Sequence, residues 1–326
     1  MKNITKALVK LKTVTKNQDH PLYSKYIMSD GEVVYACDGE DYIQIKESFP
    51  FIGAVNIFVL ENVLNCIDSL SEAVQTRDSL KIEKPNYKTS LAIKKDVKMP
   101  KFDYPKNLKT VKVTKQLIDI LKIASSFLGL GVYSNVYVDS EKIVATDATR
   151  LFYYKLDTGF DDVMAFNKKI INSLTEDVSV GAYKNNIVVK FEKGFAIFTA
   201  DIIKDEYPIN KIENLISTTG EGFNRICPIP DVHKAISQVS PVLHGEMMGA
   251  IKLINNNEEL SVIADTSNGV SIVKLKSFSK TKSEIFINAG YLSQTPDWYD
   301  LFLEKGKLTR AVLKTKDSII IIMGIN

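Results

Sequence analysis

A chain of 326 residues, 45% hydrophobic and 25% charged, has the composition of a folded globular protein and room for two or three domains. No apolar run approaches transmembrane length, and the opening MKNITKALVKLK alternates charge with apolar residues where a secretory leader needs a continuous apolar core; a cytoplasmic protein without a membrane partner is expected. A net charge of +3 and three scattered cysteines, Cys37, Cys66 and Cys227, suggest neither a strongly basic chain nor a disulfide framework, and each thiol is read as a small core residue.

In chain order, the first element predicted is an amphipathic helix, with Ile4, Ala7, Leu8 and Leu11 at i, i+3, i+4 and i+7. A strand over Val33–Asp38 follows, then an alternating strand in GEDYIQIK. Phe58 joins a strand end to a second helix with Leu60, Val63, Leu64 and Ile67, and strands cover Leu80–Ile93. Pro100 and Pro105 mark a linker near Met99–Lys109.

The same order then starts again. A helix with Leu117, Ile120, Leu121 and Ala124 is N-capped by Thr114, a strand runs over Ile143–Asp147, and an alternating strand lies in ATRLFYYKL. Phe166 leads into a short helix with Ile170, Ile171 and Leu174, strands cover Asn186–Thr199, and glycines mark a linker near Ser217–Phe223. A third round has a helix with Val232, Ala235, Ile236 and Val239, N-capped by Asp231. It continues with a strand over Leu260–Asp265, another in TSNGVSIVKL, a helix from Ala289 after Phe286 that is interrupted or restarts at Pro296, and strands over Leu308–Met323.

Two landmarks keep step: the strand-ending acids Asp38, Asp147 and Asp265, and the strand-to-helix residues Phe58, Phe166 and Phe286. A shared period of roughly 110–120 residues implies tandem modules. The expected fold is α+β, with three modules at 1–106, 107–220 and 221–326, each of two helices and antiparallel sheets.

Catalytic signatures are missing from this pattern. There is no P-loop, HExxH, GxSxG or paired-cysteine spacing, and Gly129-Leu-Gly131 lacks the third glycine of a dinucleotide turn. His20, His233 and His244 are scattered, and Asp161-Asp162 follows Gly159 in a turn. No catalytic residue, metal or cofactor is expected. Lysines instead gather on helix faces: Lys6, Lys10 and Lys12 on the first, Lys115 and Lys122 on the third, Lys168 and Lys169 on the fourth, Lys234 on the fifth. For any one helix this is a solvated face. Taken together they suit phosphates, and with no arginine or aromatic placed to read bases the contact would be sequence-independent. The second helix, with Glu61 and Asp68, does not share this pattern.

The segment Ile143–Leu151 resembles the strand–turn–strand of the second domain of bacterial DNA sliding clamps, the β subunits of DNA polymerase III, whose pattern is ATDGHRL. Thr146, Asp147, Arg150 and Leu151 match; Ala148 and Thr149 replace Gly and His. Thr199–Pro208 is similar to the family's strand ending in [FY]-P, and Met323-Gly-Ile-Asn326 to its closing tail, with Gly324 for Pro.

The resemblance implies a non-catalytic processivity factor. Two chains would close head to tail into a ring around duplex DNA, first module to third, and tether a replicative polymerase under the care of a clamp loader. It implies one peptide pocket for partners. Thr146, Ala148, Thr149, Arg150 and Leu151 would form one wall, Pro208, Lys211 and Ile212 the next, and Ile321, Met323 and Ile325 the closing strand. The competing reading is an enzyme or structural protein built of three divergent α+β repeats.

Overall fold

The computed structural model describes residues 2–17, 21–66, 73–200, 207–220, 222–245, 249–307 and 309–325. The expected elements at His20, Ile67, Asp68 and Leu308, and the Asp and Glu before Tyr207, lie outside these residues.

The first stretch carries α1 (Lys2–Lys12), β1 (Tyr26–Ser29), β2 (Val34–Cys37), β3 (Tyr42–Ile45), β4 (Gly53–Asn56), α2 (Ile57–Asn65), β5 (Ala73–Gln75), β6 (Ser79–Lys84) and β7 (Tyr87–Ala92). Then come β8 (Val111–Lys112), α3 (Lys115–Ala124), β9 (Asn135–Val138), β10 (Lys142–Thr146), β11 (Arg150–Lys155), β12 (Met164–Asn167), α4 (Lys168–Ser173), β13 (Ser179–Tyr183), β14 (Asn186–Phe191) and β15 (Gly194–Thr199). The last stretch has α5 (Ile209–Ser217), β16 (Asn224–Pro228), α6 (Ile229–Val239), β17 (Ala250–Asn256), β18 (Glu259–Thr266), β19 (Gly269–Lys276), β20 (Ser283–Asn288), α7 (Ala289–Ser293), β21 (Asp300–Leu303), β22 (Gly306–Lys307), β23 (Arg310–Lys314) and β24 (Ser318–Met323). The α+β class is as expected, and a helix–strands–helix–strands order recurs three times, with α5 as an addition to it.

Two compact units result, one of Met1–Ile118 with Met164–Ile202, the other of Asp119–Val163 with Ile203–Asn326. In the first, strands run in the order β4-β1-β2-β3-β15-β14-β13-β8, with a separate β5-β6-β7 sheet. In the second, β9-β10-β11-β24-β23-β21-β16 form one run and β19-β18-β17-β20-β22 another. Each unit thus contains a seam where a strand of one repeat pairs with the last strand of the next. Antiparallel β3 and β15 place Tyr42 opposite Ile197 and Ile45 opposite Gly194. Antiparallel β11 and β24 place Leu151 opposite Ile321. The first seam requires Gly194, because a Cβ there would come within 2.0 Å of the Gln44 carbonyl oxygen.

The helices bury the predicted stripes: Ala7, Leu8 and Leu11 on α1, all four predicted residues on α3, and Val232, Ala235, Ile236 and Val239 on α6. Thr114 caps α3, its hydroxyl accepting from the Leu117 N–H at 3.2 Å. Asp231 does not cap α6. That helix starts two residues earlier at Ile229, with Pro230 in its first turn and Asp231 inside that turn, where a carboxylate suits the N-terminal end of the helix dipole. α7 ends at Ser293 and does not restart at Pro296. Cys66 is exposed at the end of α2, whereas Cys37 and Cys227 are buried as expected.

The repeat is marked more exactly by asparagines than by phenylalanines. Asn56, Asn167 and Asn288 each end a strand and accept from backbone N–H groups of the helix that follows. Phe58, Phe166 and Phe286 lie at different offsets from these caps.

Candidate functional site

The clamp-like segment Thr146–Leu151 forms a turn closed by its own side chains. The Thr146 hydroxyl donates to the Arg150 carbonyl at 2.6 Å and accepts from the Ala148 N–H at 3.1 Å. The Asp147 carboxylate accepts from the N–H groups of Thr149 and Arg150 and from the Thr149 hydroxyl. Burial works to raise the Asp147 pKa, but these bonds and the Arg150 guanidinium outweigh it and hold the carboxyl below its ordinary value. Ala148 sits at φ +71°, in the left-handed region that a glycine would occupy without steric cost.

Arg150 is buried rather than offered to solvent. Its Nε bonds Asp147 at 2.8 Å, Nη1 bonds the Gln294 side chain at 2.6 Å and Nη2 the Ser126 carbonyl at 2.8 Å. Its guanidinium lies over the rings of Phe127 and Tyr291. The arginine therefore ties the turn to α7 and to the segment after α3.

Beside the turn, Leu151, Ile212 and Ile321 belong to one apolar cluster with Val144, Tyr207 and Val312. Residues from all three predicted walls thus come together. Leu151 is 4% exposed and Ile321 1%, so they form a floor under α5. Met323 is 37% exposed, Ala148, Thr149 and Lys211 are exposed, and Pro208 and Ile325 are half-buried at the rim. The tail is tied down by its backbone: the N–H groups of Met323 and Ile325 donate to the carbonyls of Thr149 and Phe286 at 2.9 and 2.8 Å.

Helix α5, absent from the sequence expectation, covers this floor. Its signal was readable: Ile209, Ile212, Leu215 and Ile216 recur at helical spacing. Lys142 pairs with Glu213 at 2.8 Å, and at the helix's C-terminal end Arg310 and Lys314 bond to Thr218 and the Thr219 carbonyl, cations where the dipole favours them.

The eight lysines fall into two groups. Lys6, Lys115, Lys122, Lys168 and Lys234 are exposed. The other three are engaged within the chain. Lys12 pairs with Glu61 at 2.6 Å, Lys10 lies over the Phe191 ring, and Lys169 bridges the carboxylates of Asp38 and Asp41. Burial pushes the Lys10 pKa down. The Asp38 carboxyl, also buried, accepts from the N–H groups of Asp41 and Glu40 and pairs with Lys169, which together hold it below its ordinary value. Among the described residues no group of three or more metal-ligating side chains converges, and no helix is long and apolar enough to cross a membrane.

No family model matches the sequence, and no curated protein matches it. Solved structures do match. A putative DNA polymerase III β subunit from Eubacterium rectale superposes with a TM-score of 0.82 at 12% identity, over 99% of this chain and 97% of that one. The DNA polymerase III β chain of Streptococcus pneumoniae gives 0.81 at 14%, over 100% and 98%. The Helicobacter pylori β clamp, solved bound to a DNA ligase peptide, gives 0.77 at 15%, again over 100% and 98%. The chain has, from end to end, the fold of the bacterial DNA sliding clamps.

Proposed function

We propose that the chain is a sliding clamp: a non-catalytic processivity factor that closes around duplex DNA as a ring of two copies, holds a replicative polymerase, and is placed on DNA by a clamp loader. The observation that carries the reading is the pattern of strand seams. The third strand of the first repeat, β3, pairs with the last strand of the second repeat, β15, and β11 pairs with β24 in the same way. Among the described residues, two edges of these two kinds are left over. β19 is the third-repeat counterpart of β3 and β11, and β7 is the first-repeat counterpart of β15 and β24; both are sheet edges. Unpaired edges invite a partner strand. Pairing β19 of one copy with β7 of another repeats the internal seam twice and closes the assembly. Val270 and Ile272, exposed on β19, are the apolar residues such a seam would cover.

A ring binds topologically, so a modest charge and exposed lysines such as Lys6, Lys115, Lys122, Lys168 and Lys234 suffice for phosphate contact without sequence readout. The three modules proposed at 1–106, 107–220 and 221–326 give six per ring, and the soluble chain would act in a bacterial cytoplasm, or in a host's if phage-encoded. Partner peptides would dock at the rim formed by Thr149, Pro208, Lys211, Met323 and Ile325, beside the Leu151–Ile321 floor that α5 covers; Arg150 supports that wall from beneath. The clamp from Helicobacter pylori, solved with a DNA ligase peptide, is precedent for peptide binding by a protein of this fold.

Threading tests the reading. Protein incubated with linear duplex bearing open ends, which are then blocked, should resist a salt wash; duplex blocked at both ends beforehand should retain little. Equal, salt-labile binding to both would contradict encirclement.

A further inference from the structure

Residues 97–105 run without helix or strand, yet they are seated on a sheet. Met99 is buried in the cluster of Tyr35, Cys37, Tyr42 and Phe195. Phe102 stands edge-on to Tyr42 with ring centres 5.1 Å apart, and Tyr104 edge-on to Phe195 at 5.4 Å. Lys101 lies over the Tyr35 ring and pairs with Asp30 at 3.1 Å. Residues two apart in an extended chain point the same way, so both rings reach down to one surface.

That surface is the first seam. Cys37 lies opposite Tyr42, and Tyr42 opposite Ile197. At the second seam Thr146 lies opposite Leu151, and Leu151 opposite Ile321. The linker therefore rests on the register counterparts of the candidate partner floor. It is held by aromatic side chains and flanked by Pro100 and Pro105, in the manner of a bound extended peptide.

We infer that residues 97–106 act as a built-in peptide ligand: the Tyr42–Phe195 face is a second docking face, for an extended peptide with two aromatic residues two positions apart, kept shut by the chain's own linker. This rests on the seam register and, through the proposed partner floor, on the clamp reading; peptide binding at the linker tests it apart from ring closure. A tethered segment competes at an effective concentration in the millimolar range, about enough to exclude a free peptide of ordinary affinity. Phe102 remains 45% exposed and is the anchor most easily withdrawn.

The probe is a fluorescent synthetic peptide of sequence VKMPKFDYPK, the chain's own residues 97–106. The full-length protein and the variants F102A and F102A/Y104A would be titrated by anisotropy, with folding checked by circular dichroism and thermal melting. The inference predicts binding to the double variant at one peptide per chain, about tenfold or more tighter than to the unaltered protein, and a rise in its melting temperature with peptide. If the double variant does not fold, F102A decides, with a smaller gain in the same direction. A folded variant that takes no peptide, or an unaltered protein that binds it equally well, overturns the inference.

Discussion

Leu151 and Ile321 face each other across the antiparallel seam of β11 and β24, and both are sealed from solvent beneath α5. Two repeats therefore share one core at this point. Truncating either side chain removes apolar area and leaves a cavity. L151A and I321A should each cost on the order of 3 kcal/mol by chemical denaturation. M323A, at the exposed rim, should cost well under 1 kcal/mol while weakening capture of a polymerase C-terminal peptide. If M323A destabilises the fold as much as L151A, the division into floor and rim is wrong.

Ala148 at φ +71° adopts a conformation that disfavours residues bearing a Cβ. Glycine relieves that cost but has more freedom to lose on folding, so A148G should stabilise the protein by up to about 1 kcal/mol. Thermal melting would show the gain; a lower melting temperature would mean the turn is not held in this geometry.

Acid should act in part through two buried or half-buried carboxyls. Asp38 and Asp147 both have folded pKa values below the ordinary 3.8. A depressed carboxyl contributes stability that is complete above its unfolded pKa and lost as pH falls through the folded one. D38N and D147N should thus be less stable than the parent at neutral pH, and the gap should close below about pH 3.8. A gap that stays constant down to acid unfolding would show that the charges contribute nothing.

The lysines should separate by role. Lys169 joins two buried carboxylates, so K169A should lower stability by on the order of 2 kcal/mol, less than for a fully buried pair because the ammonium is partly exposed. Replacing Lys6, Lys115, Lys122, Lys168 and Lys234 together should leave the melting temperature nearly unchanged and flatten the salt dependence of DNA retention. An unaltered salt slope would remove these residues from the DNA interface.

Much of this fold was legible because its signals are local and periodic. The stripes of α1, α3 and α6 announced themselves by spacing, and the strands by alternation. The landmarks misled where a side chain's role depends on geometry. Asp265 is exposed within β18, and Thr266, whose hydroxyl accepts from Asn268, closes that turn instead. α5 escaped notice just before the expected linker, in a segment read only for its pocket residues, because its stripe spans little more than two turns. At the candidate site, sequence matching brought together Leu151, Ile212 and Ile321, but it could not show Arg150 turned inward onto Gln294 and Ser126, nor Lys169 spent on Asp38 and Asp41. Those are long-range pairings that depend on which strands meet.

The strand pairing between copies is where the account is most exposed. The mass of the unaltered protein in dilute solution, measured by light scattering, should be twice 36.5 kDa, and I272P, which removes a backbone donor from the β19 edge, should reduce it to a single chain. A mass of 36.5 kDa for the unaltered protein at micromolar concentration would contradict the ring.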